Sequence, residues 1–278
     1  MIGFINLYKP CGMSSAMAVT AVKKALNYGY CGHLGTLDPL AEGVLPISLG
    51  KASRLFDYLN ENKTKKYTAE FIFGYATDTL DITGKIIDSG GRLPSEKEIR
   101  AVLPKLTGEY EQIPPAFSAK KVAGYKAYEL ARKGIMPELK AKKITVYSFE
   151  MISYSDEKGS FEISCSSGTY IRCLARDLAA KLGTYAVMSG LIRTQSGGFA
   201  ISDAVKIDEI SADSVISIEA AVRLPRYTVP TEHAKKFLSG TPFPAEFEAD
   251  KLVYYNGELY ALASCANGLL KIKAYLKE

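Results

Sequence analysis

Two apolar runs, residues 144 to 154 and 161 to 166, stand on either side of a short polar turn at Asp156-Glu157-Lys158-Gly159. Runs this short, rich in Ile, Val, Tyr and Phe, read as strands, and so tight a connection makes them a hairpin. Residues 3 to 9, 44 to 49, 67 to 73, 186 to 192 and 198 to 201 have the same strand character. Helical stretches fall between them. Ser14 and Ser15 can cap a helix to about Asn27, with Val19, Val22 and Leu26 on one face and Gly29 at its end. Residues 52 to 60 read as a second helix. Ser95-x-x-Glu98 is a capping box opening a third, to about Leu106. Residues 124 to 133 form a basic helix stopped by Gly134, and residues 169 to 182 one ended by Gly183. With no regular βαβ alternation, this order predicts an α+β body around a mostly antiparallel mixed sheet.

The texture changes after Leu224-Pro225-Arg226. Short strand-like runs at 252 to 255, 259 to 263 and 269 to 275 are joined by Asn256-Gly257 and Asn267-Gly268, both strong hairpin signals. The expected boundary lies near 226, giving a body over 1 to 226 and a small β-rich domain over 227 to 278.

Several classes of function are excluded. No run approaches the roughly 18 apolar residues of a membrane span, and residues 1 to 7 read as a strand rather than a secretory signal. Five scattered cysteines and two distant histidines, His33 and His233, offer neither a disulfide framework nor a zinc motif, which fits a reduced, cytoplasmic protein. Residues 43 to 52 carry glycines at the wrong spacing for a phosphate-binding loop, and Ala52 where a Ser or Thr would hold magnesium. Gly29, Gly32 and Gly35 do not fit a dinucleotide fingerprint either.

Charge points elsewhere. The net excess is only +5, but residues 1 to 37 hold no carboxylate, and Asp38 is the first acid in the chain. Residues 118 to 143 carry eight basic side chains, Lys120, Lys121, Lys126, Arg132, Lys133, Lys140, Lys142 and Lys143, against Glu129 and Glu138. Clustered positive charge suits a polyanion. Asp38 itself sits among glycines and apolar side chains, where the backbone can approach a ligand and a carboxylate is partly desolvated. Taken alone, Asp38-Pro39 could equally open a turn.

Six ordered blocks decide between these readings. Gly32-His33-Leu34-Gly35-Thr36-Leu37-Asp38-Pro39-Leu40-Ala41-Glu42-Gly43-Val44-Leu45-Pro46 resembles the catalytic signature of the bacterial tRNA pseudouridine-55 synthases, the TruB family. Leu7-Tyr8-Lys9-Pro10-x-Gly12-Met13-Ser14-Ser15 resembles the family's opening motif. Lys66-Tyr67, Thr77-Asp78-Thr79-x-Asp81, Ile113-Pro114-Pro115-x-Phe117-Ser118-Ala119-x-Lys121 and Gly168-Thr169-Tyr170-Ile171-Arg172 follow in the family's order.

The resemblance implies a pseudouridine synthase core with a short PUA-like domain at the C-terminus. It also implies a reaction that breaks a uridine glycosidic bond and rejoins the uracil through carbon 5, with no cofactor and no metal. Asp38 would be the essential carboxylate, acting on sugar or base. Tyr67 would stack on the flipped uracil and accept the carbon-5 proton. Arg172 would aim Asp38, which also explains a cation in a first helical turn, where positive charge is otherwise disfavoured. Tyr170 and Leu191 would line the uracil pocket, His33 would fill the space left in the RNA loop, and Lys9 would support the active-site loop or a phosphate. The partner implied is the T-arm of tRNA, clamped by the basic insertion at 118 to 143 and met by a monomer. A guide-RNA-dependent synthase and a non-catalytic tRNA-folding chaperone are the alternatives.

Overall fold

The computed structural model describes residues 1–59, 64–118, 121–122, 124–135 and 139–277. The chain begins with β1 (Gly3–Lys9), α1 (Ser15–Ala25), β2 (Cys31–His33) and β3 (Glu42–Leu49). A 3-10 helix (Gly50–Tyr58) leads to β4 (Lys65–Phe73) and to the hairpin β5 (Tyr75–Thr77) and β6 (Ile86–Ser89). Then come α2 (Glu96–Val102), β7 (Gly108–Gln112), a small hairpin of β8 (Lys121–Val122) and β9 (Tyr125–Lys126), and α3 (Ala127–Arg132). The long hairpin β10 (Lys142–Ser155) and β11 (Lys158–Cys165), α4 (Ile171–Leu182), β12 (Ala186–Ser196) and β13 (Phe199–Ala200) complete the central sheet. The C-terminal part holds α5 (Ile218–Ala221), β14 (Arg226–Thr228), α6 (Ala234–Leu238), β15 (Lys251–Tyr255), β16 (Glu258–Ala266) and β17 (Leu269–Tyr275).

Among the described residues the central sheet runs β1-β3-β12-β4-β11-β10-β7, with β2 on β3 and β13 on β12. Every pairing is antiparallel except β12 beside β3, where Ile192 faces Glu42 and Arg193 faces Gly43. The fold is thus the mixed, mostly antiparallel α+β arrangement expected. At the parallel junction Gly43 has φ +98°, and a β-carbon there would collide with the Arg193 carbonyl, so only glycine lets β3 start against β12. The side chains of β4 alternate, with Tyr67, Ala69, Phe71 and Phe73 buried on one face. They join Val22 of α1, Ile99 of α2, and Leu174 and Leu178 of α4 in the main core.

The second sheet is β14-β15-β16-β17. Its two Asn-Gly turns place Asn256 and Asn267 at φ 50° and 54°, with the following glycines also positive, as a two-residue hairpin turn demands. One face packs within the C-terminal part (Phe237, Phe243, Val253 and Leu270). Leu252, Tyr254, Leu262 and Leu276 instead pack on Phe4, Leu55, Phe199 and Ile218 of the body.

Several elements differ from the sequence expectation. Helix α1 stops at Ala25, because Asn27 rather than Gly29 takes the left-handed exit at φ 47°. The stretch from 52 is a 3-10 helix: Ala52 and Leu55, three residues apart, are both buried, and a three-residue repeat aligns them. Its expected end, Asn60, lies outside the described residues. The helix expected from Gly124 begins at Ala127, since Lys121–Val122 and Tyr125–Lys126 pair as β8 and β9. Lys120 and Glu138 of that basic segment, and Ala119 of the adjoining motif, also lie outside the described residues. Strands β5, β6 and β7 fall where the pattern predicts none. The four residues of β6 are all exposed and β7 is a largely polar edge strand, so neither shows an apolar stripe.

Candidate active site

Asp38 lies in the loop between β2 and β3, and the opening segment of the chain fixes that loop. Ser15, at the start of α1, donates from Oγ to the Leu37 carbonyl (2.8 Å) and accepts from the Leu37 N–H (2.9 Å), clamping the residue before Asp38 from both sides. Gly12 N–H donates to the Pro39 carbonyl at 2.8 Å. Asp38 and Pro39 do turn the chain, since Ala41 N–H donates to the Asp38 carbonyl. Lys9 is fully buried and donates from Nζ to the carbonyls of Pro10 (2.8 Å) and Met13 (2.7 Å), tying together the segment that carries Gly12. Burial lowers the pKa of its ammonium, with nearby Asp38 and Glu42 opposing that shift.

Arg172 enters from the first turn of α4, whose N-cap is Tyr170. Its Nη2 is 2.9 Å from Asp38 Oδ2, and the guanidinium side chain is 6% exposed while the carboxylate is 39% exposed. Arg172 Nη1 donates to the Thr79 carbonyl at 2.8 Å and Nη2 to the Phe117 carbonyl at 3.2 Å. A second carboxylate, the buried Asp81, stands behind, with Oδ2 at 3.7 Å from Nη1. Its other oxygen accepts from Thr79 Oγ1, Thr83 N–H and Thr83 Oγ1. The blocks at 77–81, 113–118 and 168–172, far apart in sequence, therefore converge on one side chain. Its two carboxylates and two carbonyls leave it little freedom.

Tyr67 lies on the inner face of β4, directly opposite Arg193 of β12. Burial raises its phenol to about 12, against the opposing field of Arg193, and the charge of Asp38 reaches it. Tyr170 is half-buried, and burial raises its phenol as well. Its backbone is fixed by buried Gln112, which accepts from the Tyr170 N–H (2.8 Å) and donates to the Tyr170 carbonyl (3.2 Å). Leu191 faces Ala69 and belongs to the main core. His33 ends β2 with Nδ1 buried and without a hydrogen-bond partner among the described residues. Burial, then the charge of Arg193, lowers its pKa below 6.5, so the ring is neutral near pH 7.

Four side chains of this site escape a reading of the sequence alone: Ser15, Asp81, Gln112 and Arg193. Arg193 is the most buried of them, at 0% exposure. It donates from Nε to the Val44 carbonyl (2.7 Å), from Nη2 to Gly35 (3.0 Å) and from Nη1 to Thr36 (3.5 Å), gathering the carbonyls at the foot of the Asp38 loop. Asp81 sits inside a motif block, yet only its burial opposite Arg172 gives it a role. Ser15 closes the opening motif block but reads there only as a helix cap, and nothing local marks Gln112 or Arg193.

The family model described as "TruB family pseudouridylate synthase (N terminal domain)" matches residues 23–171. A protein of Alkaliphilus oremlandii named tRNA pseudouridine synthase B is 39% identical over 258 residues, 91% of this chain and 86% of that protein. The chain belongs to the TruB family of pseudouridylate synthases. A TruB relative of the same name from Caldanaerobacter subterraneus is 40% identical over 242 residues, 86% of this chain and 85% of its own. Among solved structures, a Cbf5-Nop10-Gar1 complex contains a chain similar in fold, with TM-score 0.70 and 24% identity, covering 98% of this chain and 84% of that one. The fold is that of the pseudouridine synthases. No helix among the described residues is long and apolar enough to cross a membrane.

Proposed function

We propose that the protein converts uridine 55 in the T-loop of tRNA to pseudouridine, acting in the cytoplasm as a monomer without guide RNA, metal or cofactor. The observation that carries this reading is the half-exposed Asp38 carboxylate, gripped at 2.9 Å by buried Arg172, with its charge reaching Tyr67 and Tyr170. One nucleobase flipped from the T-loop would stack on Tyr67. Asp38 acts on the sugar or the base as the N1–C1′ bond breaks and the C5–C1′ bond forms. Tyr67, kept protonated by its raised pKa, takes the carbon-5 proton only as it passes its own hydroxyl proton on, and one proton returns to N1, so the reaction is an isomerisation.

Tyr170 and Leu191 flank the base, and His33, neutral near pH 7, packs into the space the base vacates. Lys9 holds the loop from beneath. The basic insertion at 118–143 clamps the T-arm through phosphates. Residues 227–278 form the PUA-like domain on a body spanning 1–226; the shared apolar contacts of Leu252 and Leu262 with Phe4 support a fixed placement. The chain covers 85–86% of the relatives named tRNA pseudouridine synthase B, which supports the choice of tRNA.

The test is an unmodified tRNA transcript incubated with the protein, without added metal, then mapped by carbodiimide labelling and primer extension. One new stop at position 55 is expected. No stop in any tRNA, from folded protein that binds the transcript, would overturn the reading.

A further inference from the structure

The inner face of the sheet holds cations that the two active-site carboxylates do not answer. Lys65 opens β4 two residues before Tyr67, so both side chains leave the same face. Its ammonium lies against the foot of the Asp38 loop: a β-carbon built on Gly35 would meet Lys65 Nζ at 2.9 Å and Arg193 Nη1 at 3.9 Å. Lys142, the first residue of β10, rests its ammonium against Gly168, four residues before Arg172. Both glycines have positive φ, 101° and 87°, and their bare Cα atoms make room for the two ammonium groups. Ser167 and Ser196 line the cavity beside Lys65 and add hydroxyl groups.

Arg172 provides a comparison within the same site. That buried cation has two carboxylates, Asp38 and Asp81, within 4 Å. Among the described residues, neither Lys65 nor Lys142 has a carboxylate at ion-pair distance, and Arg193 donates to three backbone carbonyls and to the Tyr67 hydroxyl, with no carboxylate among these partners. Burial, followed by the charges of Arg193 and then Lys142, pushes the Lys65 ammonium down to about 8. Cations of one sign, gathered on a partly buried floor beside a reactive carboxylate, lower their energy by taking an anion between them.

We propose that Lys65 and Lys142 bind a phosphodiester of the RNA backbone adjacent to the nucleotide that reaches Tyr67, with Arg193 adding its field from behind. The site rests on the reading of the protein as an RNA-modifying enzyme, and it names the substrate atoms that would be held. Fixing that phosphate between the Gly35 loop and the Gly168 turn would set how deeply the flipped nucleotide enters.

The experiment is a charge cycle between protein and RNA. T-arm hairpins carrying a single neutral methylphosphonate, placed in turn at each loop linkage, are titrated against wild type, Lys65→Met, Lys65→Arg and Lys142→Met. One linkage is expected to weaken wild-type binding about tenfold when neutralised, as for one lost charge-assisted contact. The same linkage should cost Lys65→Met and Lys142→Met little, and cost Lys65→Arg as much as wild type. Each methionine variant should lower the slope of log Kd against log salt by about 0.7. Equal weakening of every hairpin by the variants, or no weakening, would overturn the site and leave a structural role for these lysines. Lys142 is exposed, so its variant keeps the cycle interpretable if Lys65→Met fails to fold. Turnover of the unsubstituted hairpin is read separately. Turnover without a linkage signature rejects the phosphate site alone, whereas a signature without turnover keeps the site and rejects the catalytic reading.

Discussion

Replacing Asp81 by asparagine tests whether Arg172 is aimed from behind. The substitution keeps the side chain's shape and an acceptor for Thr79 and Thr83, while removing the charge whose Oδ2 stands 3.7 Å from Arg172 Nη1. Opposite charges at that distance attract by about 4 kcal/mol at an effective dielectric of 20. Removing one partner of a buried pair typically costs about 3–5 kcal/mol. Asp38 still holds the guanidinium, so the low end, about 3 kcal/mol, is expected. At roughly 2–4 °C per kcal/mol for a chain of this size, the melting temperature should fall by about 10 °C. Activity should fall further than stability implies, because a shift of about 1 Å in a positioned reacting group can cost about 100-fold. The assays are thermal unfolding by circular dichroism and single-turnover pseudouridine formation with enzyme in excess. Asp81→Asn and Arg172→Met should be strongly non-additive, as partners in one network are. Wild-type stability and rate in Asp81→Asn, or strict additivity in the double variant, would refute the claim that the two carboxylates share Arg172.

Arg193→Met should destabilise the protein by about 3 kcal/mol or more, since it strands three carbonyls at the foot of the Asp38 loop; urea unfolding reads this directly, and an unchanged midpoint would contradict it. Tyr67→Phe keeps the buried ring and removes the hydroxyl, so RNA affinity should stay within about twofold while turnover falls by about 10²–10⁴; equal losses in both would assign Tyr67 to binding alone. Lys65 has a folded pKa of about 8 against roughly 10.4 unfolded. Between those values the unfolded chain binds more protons, so this lysine's contribution to stability rises with pH. Comparing wild type with Lys65→Met from pH 7.5 to 10 should show the difference moving steadily in favour of wild type, and a flat difference would count against the buried ammonium.

Much of the fold is legible because local chemistry and tertiary structure agree. The capping box of Ser95 and Glu98 forms as its spacing demands, Gly183 ends α4 at φ 67°, and both Asn-Gly pairs make hairpin turns. Where local signal is weak, packing decides. Edge strand β7 earns its pairing only from β10, and the helix expected at 52 tightens into a 3-10 turn because Ala52 and Leu55 must face inward together. In the site, Asp38, Tyr67 and Arg172 stand out through blocks that resemble the family. Arg193 does not, because its strand continues four residues past the expected end at 192, and nothing in the sequence tells that a strand arginine will turn inward to collect carbonyls. Gln112 is likewise an ordinary polar residue until the chain brings Tyr170 to it, and Ser15, quoted in the opening motif, reads only as a helix cap until Leu37 meets it.

The central claim is that the Asp38 carboxylate, and not merely a folded RNA-binding surface, performs the chemistry. It is tested most directly with tRNA transcripts tritiated at carbon 5 of uridine, measuring tritium release by wild type and by Asp38→Asn alongside the binding affinity of each. Wild type should release one tritium per tRNA and Asp38→Asn none, with affinities within about threefold of each other, since a half-exposed carboxylate near a polyanion adds little to binding. Release by Asp38→Asn at the wild-type rate would contradict it and move the chemistry to another group.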